Sequence, residues 1–444
     1  MSRTAPAGSA GDGALAVRAF MNSLFPAPRH FNIRLVDGTA IEPVLERPRF
    51  TIVLNGAGAA RHMFSLPIEL SLAEAYIRGG FDIEGDMFAA FQLIDDIGAH
   101  PWGARQLLSL ASLSQALPRN GQTAVLGRGP LSLTGTKHSR ERDRAAIQYH
   151  YDVGNEFYAL WLDRRMNYSC AYFKTGGEDI DIAQEQKLEH ICRKLRLQPG
   201  ERLLDIGCGW GGLAIFAAQQ YGVNALGVTL STRQAELANQ RIVQAGLSDR
   251  VSVKLLDYRD LSAQSFDKVV SVGMFEHVGR SHLPEYFAQV MRLLKPGGLF
   301  LNHGISVHPG DTDNRSARLW QRLASRYVLG SGKFSQRYIF PDGELVPVSA
   351  VNEMAERVGF EVRDVENLRE HYALTLRHWV ARLDARRQDA TRLADETTYR
   401  TWKLYLSASV YGFESGHINV NQSLLAKLDH GCASVPLTRA DLYA

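Results

Sequence analysis

Residues 201–212 place the carboxylate of Asp205 just before four glycines, an order that suits a nucleotide-cofactor site. Asp205 lies in an apolar stretch typical of a buried parallel strand, and Gly207 follows two residues later. Glycine lets the backbone turn tightly and approach a ligand with no side chain in between. Residues 213–220 have the apolar spacing of a helix. We therefore expect a strand, a glycine turn and a helix around a bound cofactor.

The position of the acidic residue indicates which cofactor this is. In a dinucleotide-binding enzyme, an acid at the end of the second strand holds the adenosine ribose. The second predicted strand, 223–230, ends in Val228-Thr229-Leu230 and has no such acid. Asp205 instead precedes the first glycine, as is typical of enzymes that use S-adenosylmethionine. We predict S-adenosylmethionine rather than a nicotinamide.

The elements that position this turn form a repeating pattern of strands and helices. It predicts an α/β fold of the Rossmann-like type, with a doubly wound, mostly parallel sheet. The third and fourth strands are predicted at 251–256 and 267–272, and a turn at 295–298 leads into a fifth strand at 299–302. Ligands bind beyond the carboxyl ends of such strands. The residues predicted at that edge are Gly207, Thr229, Asp257, Glu276 and His303.

Composition limits the classes of protein. A chain of 444 residues, 45% of them hydrophobic, can form more than one domain. Lys and Arg number 50 against 47 Asp and Glu, so we predict no nucleic-acid partner. The four cysteines lack metal-ligand or redox spacing, which predicts reduced thiols, an intracellular protein and no metal. No apolar run is long enough to span a bilayer, which predicts a soluble or peripheral protein.

The amino-acid composition and the secondary-structure pattern change after about the first quarter to third of the chain. Strand patterns at 31–36 and 50–54 and helical patterns at 72–77 and 87–97 predict a small α+β domain. A segment rich in Gly and Pro follows it. The predicted organisation is a disordered N-terminus, a small α+β domain, a basic linker and a catalytic domain, over residues 1–12, 13–115, 116–144 and 145–444.

The linker region carries an excess of positive charge. Residues 101–150 hold seven Lys and Arg against two acids, Glu141 and Asp143. One interpretation is a solvated connection between domains. The other is a surface that docks on anionic lipid headgroups, at about 1 kcal/mol per basic residue. Six of these seven basic residues lie in the predicted linker, 116–144, and we name them the basic strap: Arg119, Arg128, Lys137, Arg140, Arg142 and Arg144.

Six motifs in sequence order resemble the cyclopropane fatty acid synthase family, which includes the mycolic acid cyclopropane synthases and related methyltransferases. They are Tyr149–Asn155, Met166–Phe173, Leu204–Gly212, Gly227–Ser231, Asp257–Leu261 and Met274–Gly279. The resemblance covers most of residues 145–430. Residues 72–86 also resemble, less specifically, the first domain of the bacterial phospholipid enzymes.

The resemblance implies a S-adenosylmethionine-dependent methyltransferase fold and the activity of a cyclopropane-fatty-acyl-phospholipid synthase. A methyl group would pass to the double bond of an unsaturated acyl chain in a membrane phospholipid, a proton would leave, and the ring would close. A bound bicarbonate ion would take that proton. The protein would be cytoplasmic and attached peripherally to an anionic membrane surface at the inner face. A homodimer stands as an open alternative to a monomer.

The resemblance also implies roles for individual residues. Bicarbonate would be held by the side chains of Glu276, His303 and Tyr372 and by backbone groups of Cys170 and Ile305. The Cys170 thiol is not expected to act as a nucleophile. Asp205 is expected to orient the glycine turn through backbone hydrogen bonds. The other residues implied at the cofactor are Tyr168, Ser169, Gly207, Cys208, Gly209, Gly211, Thr229, Leu230, Gln234, Asp257 and Tyr258.

Gly304 departs from the family pattern, because many relatives carry a branched hydroxyl residue there. We expect the glycine to loosen the loop after the fifth strand and to weaken the hold on the anion. Loss of a proton elsewhere on the cation would give a methyl-branched or methylene fatty acid, and this product stays open beside the ring.

Two other classes of protein are considered. One is a catalytically decayed lipid-binding protein, against which the intact Asp205, Glu276 and His303 argue. The other is a methyltransferase of a small soluble molecule, which would need neither the N-terminal domain nor the basic strap.

Overall fold

The structure is a computed structural model that describes most of the chain in three long stretches. These are residues 10–93, 133–308 and 332–443, with gaps at 26–27, 43, 57–58, 64, 66, 152, 263–264 and 434, together with residues 112, 115, 117 and 129. The chain forms two compact units. Of the three long stretches, the first unit holds 10–93, 332–335 and 395–411, and the second holds 133–308, 336–394 and 412–443.

The first unit contains a four-stranded sheet in the order β2–β1–β3–β4. The strands are β1 (Asn32–Leu35), β2 (Ala40–Ile41), β3 (Phe50–Leu54) and β4 (Phe81–Gly85). β1 and β3 are parallel, whereas β1–β2 and β3–β4 are antiparallel. The helices are α1 (Ala10–Leu24), α2 (Ala59–Met63), α3 (Ile68–Ile77) and α4 (Met87–Ala90). The rings of Phe31 and Phe50 stack in its core with centroids 5.0 Å apart. The predicted α+β class of this domain is confirmed.

The structure differs from the prediction at the start of the first helix and at the end of the fourth. α1 begins at Ala10, so residues 10–12 of the segment predicted to be disordered are helical. The predicted helix over 87–97 is an α-helix over Met87–Ala90, where the Asp86 side chain accepts hydrogen bonds from the first amides of the helix. Residues 94–97 lie outside the described residues.

The first unit also contains residues that the sequence placed in the catalytic domain. Residues 395–411 belong to it, which corrects the predicted boundary. The reason lies in Arg400, whose buried guanidinium donates to the carbonyl oxygens of Tyr76 and Phe81, each at 2.7 Å. It also pairs with Asp82 at 2.6 Å. Such pairing depends on residues more than 300 positions away, which no local pattern reveals.

The second unit contains a seven-stranded sheet in the order β10–β11–β9–β8–β5–β6–β7. The strands are β5 (Arg202–Ile206), β6 (Asn224–Thr229), β7 (Val251–Leu255), β8 (Phe266–Val272), β9 (Leu294–Val307), β10 (Glu361–Asn367) and β11 (Ile418–Ala426). The five strands from β9 to β7 are parallel, whereas β11 and β10 are antiparallel to their neighbours. The predicted mostly parallel sheet is confirmed.

Helices cover both faces of this sheet. The helices of this unit are α5 (Arg140–Tyr151), α6 (Asn155–Ala159), α7 (Ile180–Leu195), α8 (Gly212–Tyr221), α9 (Thr232–Gln244), α10 (Leu283–Leu293), α12 (Val348–Val358), α13 (Arg369–Ala385), α14 (Arg387–Leu393) and α16 (Ala440–Tyr443). Two further helices, α11 (Lys333–Tyr338) and α15 (Glu396–Glu414), hold residues of both units. Leu203 and Leu204 enter different apolar clusters because successive strand side chains point to opposite faces. α7, α8 and α9 contribute to one cluster, and α10 and α12 to the other. This is the doubly wound arrangement predicted.

The fifth strand of the parallel set is much longer than predicted. β9 runs from Leu294 to Val307 and so includes both the predicted turn at 295–298 and Gly304. Its second half pairs with β11, and Gly304 lies opposite Asn421. The expectation that Gly304 loosens a loop is therefore wrong, because the residue is held in the interior of a paired strand.

The basic strap is partly neutralised by ion pairs. α5 begins at Arg140, inside the predicted linker. Arg140 pairs with Asp260 at 2.5 Å, and Arg142 forms a two-pronged pair with Asp342. Arg119 and Arg128 lie outside the described residues, as does most of the predicted linker. In the described parts of the chain, no helix combines the length and the apolar character needed to cross a membrane.

Candidate active site

The glycine turn predicted from the sequence lies between β5 and α8. Gly207, Gly209 and Gly211 have φ values of +79°, +54° and +76°, in the region that favours glycine. A Cβ at Gly207 would lie 2.9 Å from the Met274 side chain. The turn therefore requires glycine, because of its backbone conformation at all three positions and because of the close packing of Met274 at Gly207.

The turn is oriented by a carbonyl group and not by the Asp205 carboxylate. The amides of Gly207 and Cys208 donate to the carbonyl oxygen of Val228, at 3.0 and 3.1 Å. The expected hydrogen bonds from these amides to Asp205 are therefore wrong. β6 supplies the acceptor because it pairs with β5 in parallel register, opposing Val228 to Ile206.

A buried lysine that was not predicted from the sequence, Lys187, acts electrostatically on Asp205. The Lys187 ammonium on α7 donates to the Ser169 hydroxyl at 2.8 Å. Burial lowers the pKa of Lys187 to about 8 and raises the pKa of Asp205 to about 7, and each charge opposes the shift of the other. Among the described residues, Asp205 Oδ2 has no hydrogen-bond partner. Two buried ionisable groups, Asp205 and Lys187, and the hydroxyl group of Ser169 therefore lie close to the strand that leads into the glycine turn.

The residues predicted at the ribose lie together after β6. The Thr229 hydroxyl donates to the Gln234 side-chain oxygen at 2.8 Å, and both residues are buried. Ser231 caps α9 by accepting from the Gln234 amide. Leu230 lies half-buried between them in the chain. The first turn of α9 therefore holds Gln234 at the carboxyl edge of the sheet.

The residues predicted at the adenine are joined by an arginine. Arg259 Nε and Nη2 donate to the two oxygens of Asp257 at 2.9 and 2.6 Å. Arg259 also reaches Asp143 at 3.1 Å. Burial acts to raise the pKa of Asp257, but the Arg259 bonds outweigh it and lower the pKa. The ring of Tyr258 packs at right angles to that of Tyr286, with centroids 5.5 Å apart. The ion pair could have been predicted from the sequence, because the Asp lies two residues before the Arg.

Glu276 is a buried carboxyl group bound to the backbone of β9. It lies in a short 3-10 helix, Phe275–His277, that follows β8. Glu276 Oε1 accepts from the Ile305 amide at 2.7 Å, while Oε2 is buried without a hydrogen-bond partner in the described chain. Burial raises the pKa of Glu276 to about 7, and the Ile305 amide acts in the opposite direction. The Ile305 backbone was predicted to bind the anion, but its amide donates to the Glu276 carboxyl group instead.

His303 lies two residues before Ile305 on β9 and is 2% exposed. Its Nδ1 lies 3.1 Å from Gln422 Nε2, which can only donate, so Nδ1 accepts. Burial lowers the pKa of His303 to about 3, and the cations of Lys187 and Lys194 act in the same direction. His303 Nε2 has no hydrogen-bond partner in the described chain. The ring is therefore neutral, with an N–H at Nε2.

Cys170 and Tyr372 meet at the carbonyl group of Leu368. The Tyr372 amide donates to it at 3.0 Å and the Cys170 thiol at 3.7 Å. The Leu368 amide in turn donates to Val420, which lies opposite Ile305 in the sheet. Burial raises the pKa of the Cys170 thiol far above its ordinary value, which agrees with no nucleophilic role. Leu368 therefore connects the two residues to the strand that carries His303 and Ile305.

Aromatic rings link the predicted cofactor and anion residues. Tyr168 lies 5.3 Å from Trp379, and Trp379 lies 6.0 Å from Tyr372, between ring centroids. Trp161 packs edge-on against both Tyr168 and Trp379. Trp379 follows Tyr372 by seven positions on α13, so helical spacing could have revealed it.

The site fits both groups predicted to bind it. The positive φ values and close contacts of the glycine turn suit the backbone approach of a nucleotide-containing ligand. Two buried polar atoms without partners in the described chain, Glu276 Oε2 and His303 Nε2, suit a small anion that can both accept and donate a hydrogen bond. Glu276, Ile305, His303, Cys170 and Tyr372 are connected through β9, β11 and Leu368.

Comparison with known proteins gives one family. The family described as mycolic acid cyclopropane synthetase matches residues 138–423. A probable fatty acid methyltransferase of Pseudomonas putida is 42% identical over 413 residues, covering 93% of this chain and 95% of the relative. The cyclopropane-fatty-acyl-phospholipid synthase of Escherichia coli K12 is 38% identical over 289 residues, covering 65% of this chain and 69% of the relative.

Solved structures give the same result. The crystal structure of mycolic acid cyclopropane synthase CmaA1, complexed with SAH and CTAB, is 35% identical with a TM-score of 0.60. The match covers 64% of this chain and 98% of that one. The S-adenosyl group in that complex supports the cofactor predicted from the glycine turn.

Proposed function

The chain belongs to the mycolic acid cyclopropane synthetase family of S-adenosylmethionine-dependent methyltransferases, and from that premise we propose that it forms cyclopropane fatty acids in membrane phospholipids. The methyl group would be transferred to the double bond of an unsaturated acyl chain. A proton would then leave the added methyl carbon, and the electron pair of that C–H bond would close the ring.

The observation that carries this proposal is the pair of buried polar atoms, Glu276 Oε2 and His303 Nε2. An alkene that accepts a methyl cation becomes a carbocation, which must lose a proton at a defined carbon to form one product. Neither residue is suited to be the base itself. Glu276 would be alkylated by the cation, and His303 presents an N–H and not a lone pair at Nε2.

The two residues are suited to hold a small anionic base. When bound, bicarbonate would supply a base that is not covalently attached to the chain. His303 Nε2–H donates to it, and Glu276 Oε2 either accepts its hydroxyl hydrogen or, protonated, donates to it, since the pKa of Glu276 is about 7. The Tyr372 hydroxyl and backbone groups at Cys170 complete the proposed anion site.

Other residues of the chain serve the methyl donor. When bound, S-adenosylmethionine supplies an electrophilic methyl group on a sulfonium ion. The glycine turn holds the methionine portion with Tyr168 and Ser169, and Thr229, Gln234 and Asp257 hold the nucleoside portion. The rings of Tyr168, Trp379 and Tyr372 exclude water from the space between the two proposed sites.

A second product is supported by the comparisons. The relative that aligns over 93% of this chain is called a probable fatty acid methyltransferase, whereas the named cyclopropane synthase aligns over 65%. Loss of a proton from a carbon other than the added methyl would give a branched fatty acid that keeps a double bond. Both products gain one CH2 over the substrate, so mass alone does not separate them.

We further propose that the protein acts at the inner surface of the membrane as a peripheral protein. Arg140 and Arg142 are paired with acids, so among the described strap residues Lys137 and Arg144 are the better candidates for contact with anionic headgroups. Arg119 and Arg128 would add to them.

Lipid analysis of cells that express the protein tests the proposed function. We expect monounsaturated acyl chains to be replaced by chains with one more CH2 that resist catalytic hydrogenation under conditions that saturate alkenes. A gain of CH2 together with a remaining double bond would favour the second product, and unchanged lipids beside an intact, S-adenosylmethionine-binding protein would remove both.

A further inference from the structure

A glutamine on β11 contacts the ring of His303. Gln422 is fully buried and lies directly opposite His303 in the antiparallel pairing of β11 with β9. Directly paired residues have their side chains on the same face of a sheet. Gln422 Nε2 accordingly lies 3.1 Å from His303 Nδ1. This contact is separate from the groups that the proposed function requires at Nε2.

The contact determines the state of the ring. A neutral imidazole has one N–H, and the hydrogen bond at one nitrogen sets the proton on the other. The amide nitrogen of Gln422 has hydrogens to donate and no lone pair to offer. It therefore requires Nδ1 to be bare, which leaves the hydrogen on Nε2.

Burial keeps the His303 ring neutral, and the charged groups around it act mostly in the same direction. Lys187 and Lys194 on α7 disfavour a second proton on it, as does His190 on the same helix, whereas Glu366 on β10 favours one. Glu366 is already engaged, since His190 Nε2 lies 2.7 Å and Lys194 Nζ 2.6 Å from its Oε2. Burial is the largest cause that lowers the pKa of His303 to about 3, and the cations add to its effect.

The position of Gln422 is itself fixed by the sheet. Gln422 lies between His303 on β9 and Glu366 on β10 in register, so the three side chains form a row on one face. β11 is hydrogen-bonded along both sides, which leaves its backbone no freedom to shift by one residue without reversing every side chain. The sheet thus keeps the Gln422 side chain beside the His303 ring.

We infer that Gln422 is a positioning residue that holds His303 as its Nε2–H tautomer, so that a neutral N–H donor faces the anion site. The inference rests on the proposed function for the purpose of that donor, although the tautomer itself does not. With the opposite tautomer, Nε2 would present a lone pair to an anion and repel it. Gln422 would therefore affect turnover without contacting the acyl chain or the methyl donor.

The first test reads the tautomer by NMR of protein labelled with 15N in histidine. The His303 signals, among those of 14 histidines, are identified by their loss in His303→Asn. We expect a bare Nδ1 and a protonated Nε2 in the wild type. At a pH above the pKa of the introduced carboxyl group, Gln422→Glu should reverse this, because a carboxylate can only accept and requires N–H at Nδ1. A protonated Nδ1 in the wild type would overturn the inference without recourse to any variant.

A matched control is available on the same strand. Ser423 is buried on the opposite face of β11 and donates to Asn352 Oδ1 at 2.8 Å. Ser423→Ala removes one side-chain hydrogen bond from β11 but should leave the His303 signals unchanged. His303 signals that stay the same in Gln422→Glu, or that change equally in Ser423→Ala, would contradict a specific role for Gln422.

The second test compares turnover with cofactor affinity. Gln422→Leu should lower kcat by about tenfold to a hundredfold, the range found when a group that orients a functional histidine is removed. The Kd for S-adenosylmethionine, measured by calorimetry, should stay within about twofold. If His303→Ala abolishes turnover and Gln422→Leu has no effect, the positioning role fails and the proposed function stands. If His303→Ala keeps full turnover, the proposed role of His303 fails, while the NMR result still decides the tautomer.

Discussion

The ring of Phe275 occupies the space that a side chain at Gly304 would fill. A Cβ at residue 304 would lie 1.9 Å from Phe275 Cε1 and 3.1 Å from Glu276 Oε1. Phe275 is 4% exposed and packs in the core beneath the sheet, so its ring has little room to move. Gly304 is therefore required by its neighbours and not by its backbone conformation.

Gly304→Thr should destabilise the protein and impair the anion site. Overpacking of a core costs about 1–3 kcal/mol, and displacement of Phe275 would also move Glu276. Urea unfolding and turnover measure the two effects. Gly177→Ala is the control, because the nearest atom to a Cβ there is 4.0 Å away.

A double variant tests whether Phe275 is the cause. Phe275→Leu combined with Gly304→Ala should lose less stability than the sum of the two single changes, because the smaller side chain makes room for the methyl group. Additive losses would show that Phe275 and Gly304 are not coupled.

Much of the parallel sheet could be predicted, because most of its strands have a recognisable local sequence pattern. β6, β7 and β8 agree with their predictions within a residue at each end, and in the first unit Phe50–Leu54 agrees at both ends. β9 does not, since its second half exists only because β11 pairs with it, more than a hundred residues later. Gly304 was misread for that reason.

The same limit applies to the candidate site. Glu276 and His303 follow predicted strands, so their positions could be inferred from the sheet edge. Gln422, Leu368 and Lys187 could not, because each acts through a partner that is close only in the folded chain. The role expected for Asp205 was wrong because the carbonyl of Val228, on the neighbouring strand, already accepts the amides of the turn.

Glu276→Gln and His303→Ala should retain cofactor binding but lose turnover. Glu276 follows β8 and His303 lies within β9, and both are outside the glycine turn, so we expect the Kd for S-adenosylmethionine to change by no more than a few fold. Turnover should fall by about a hundredfold or more, the scale for loss of a positioned acid–base group or its support. Normal turnover in both variants would remove the anion site from the mechanism.

Glu276 should make stability depend on pH. Burial raises its pKa from 4.5 to about 7, so the folded state holds the proton more tightly than the unfolded chain. The stability that this gives is present below pH 4.5 and is lost as the pH rises to about 7. Relative to Glu276→Gln, the unfolding free energy of the wild type should fall by about 3 kcal/mol across that interval. Parallel pH profiles in urea unfolding would show that Glu276 is not buried as described.

The basic strap should bind anionic vesicles in a manner that salt weakens. The Debye length falls from about 10 Å at 0.1 M salt to about 3 Å at 1 M, so sedimentation with anionic liposomes should decrease over that range. Changing Arg119, Arg128, Lys137 and Arg144 to Ser should reduce binding more than changing the ion-paired Arg140 and Arg142. Equal binding by wild type and both variants, with anionic and neutral liposomes alike, would make the strap a simple linker.

The fate of the transferred methyl group tests the account most directly. The purified protein would be given vesicles of a monounsaturated phospholipid and S-adenosylmethionine with a trideuterated methyl group, and the acyl chains would be analysed by mass spectrometry before and after hydrogenation. Ring closure removes one hydrogen from the added methyl, so we predict a product that keeps two of the three deuterium atoms and takes up no hydrogen. A product that keeps all three deuterium atoms, or that takes up hydrogen at a remaining double bond, would contradict cyclopropane formation.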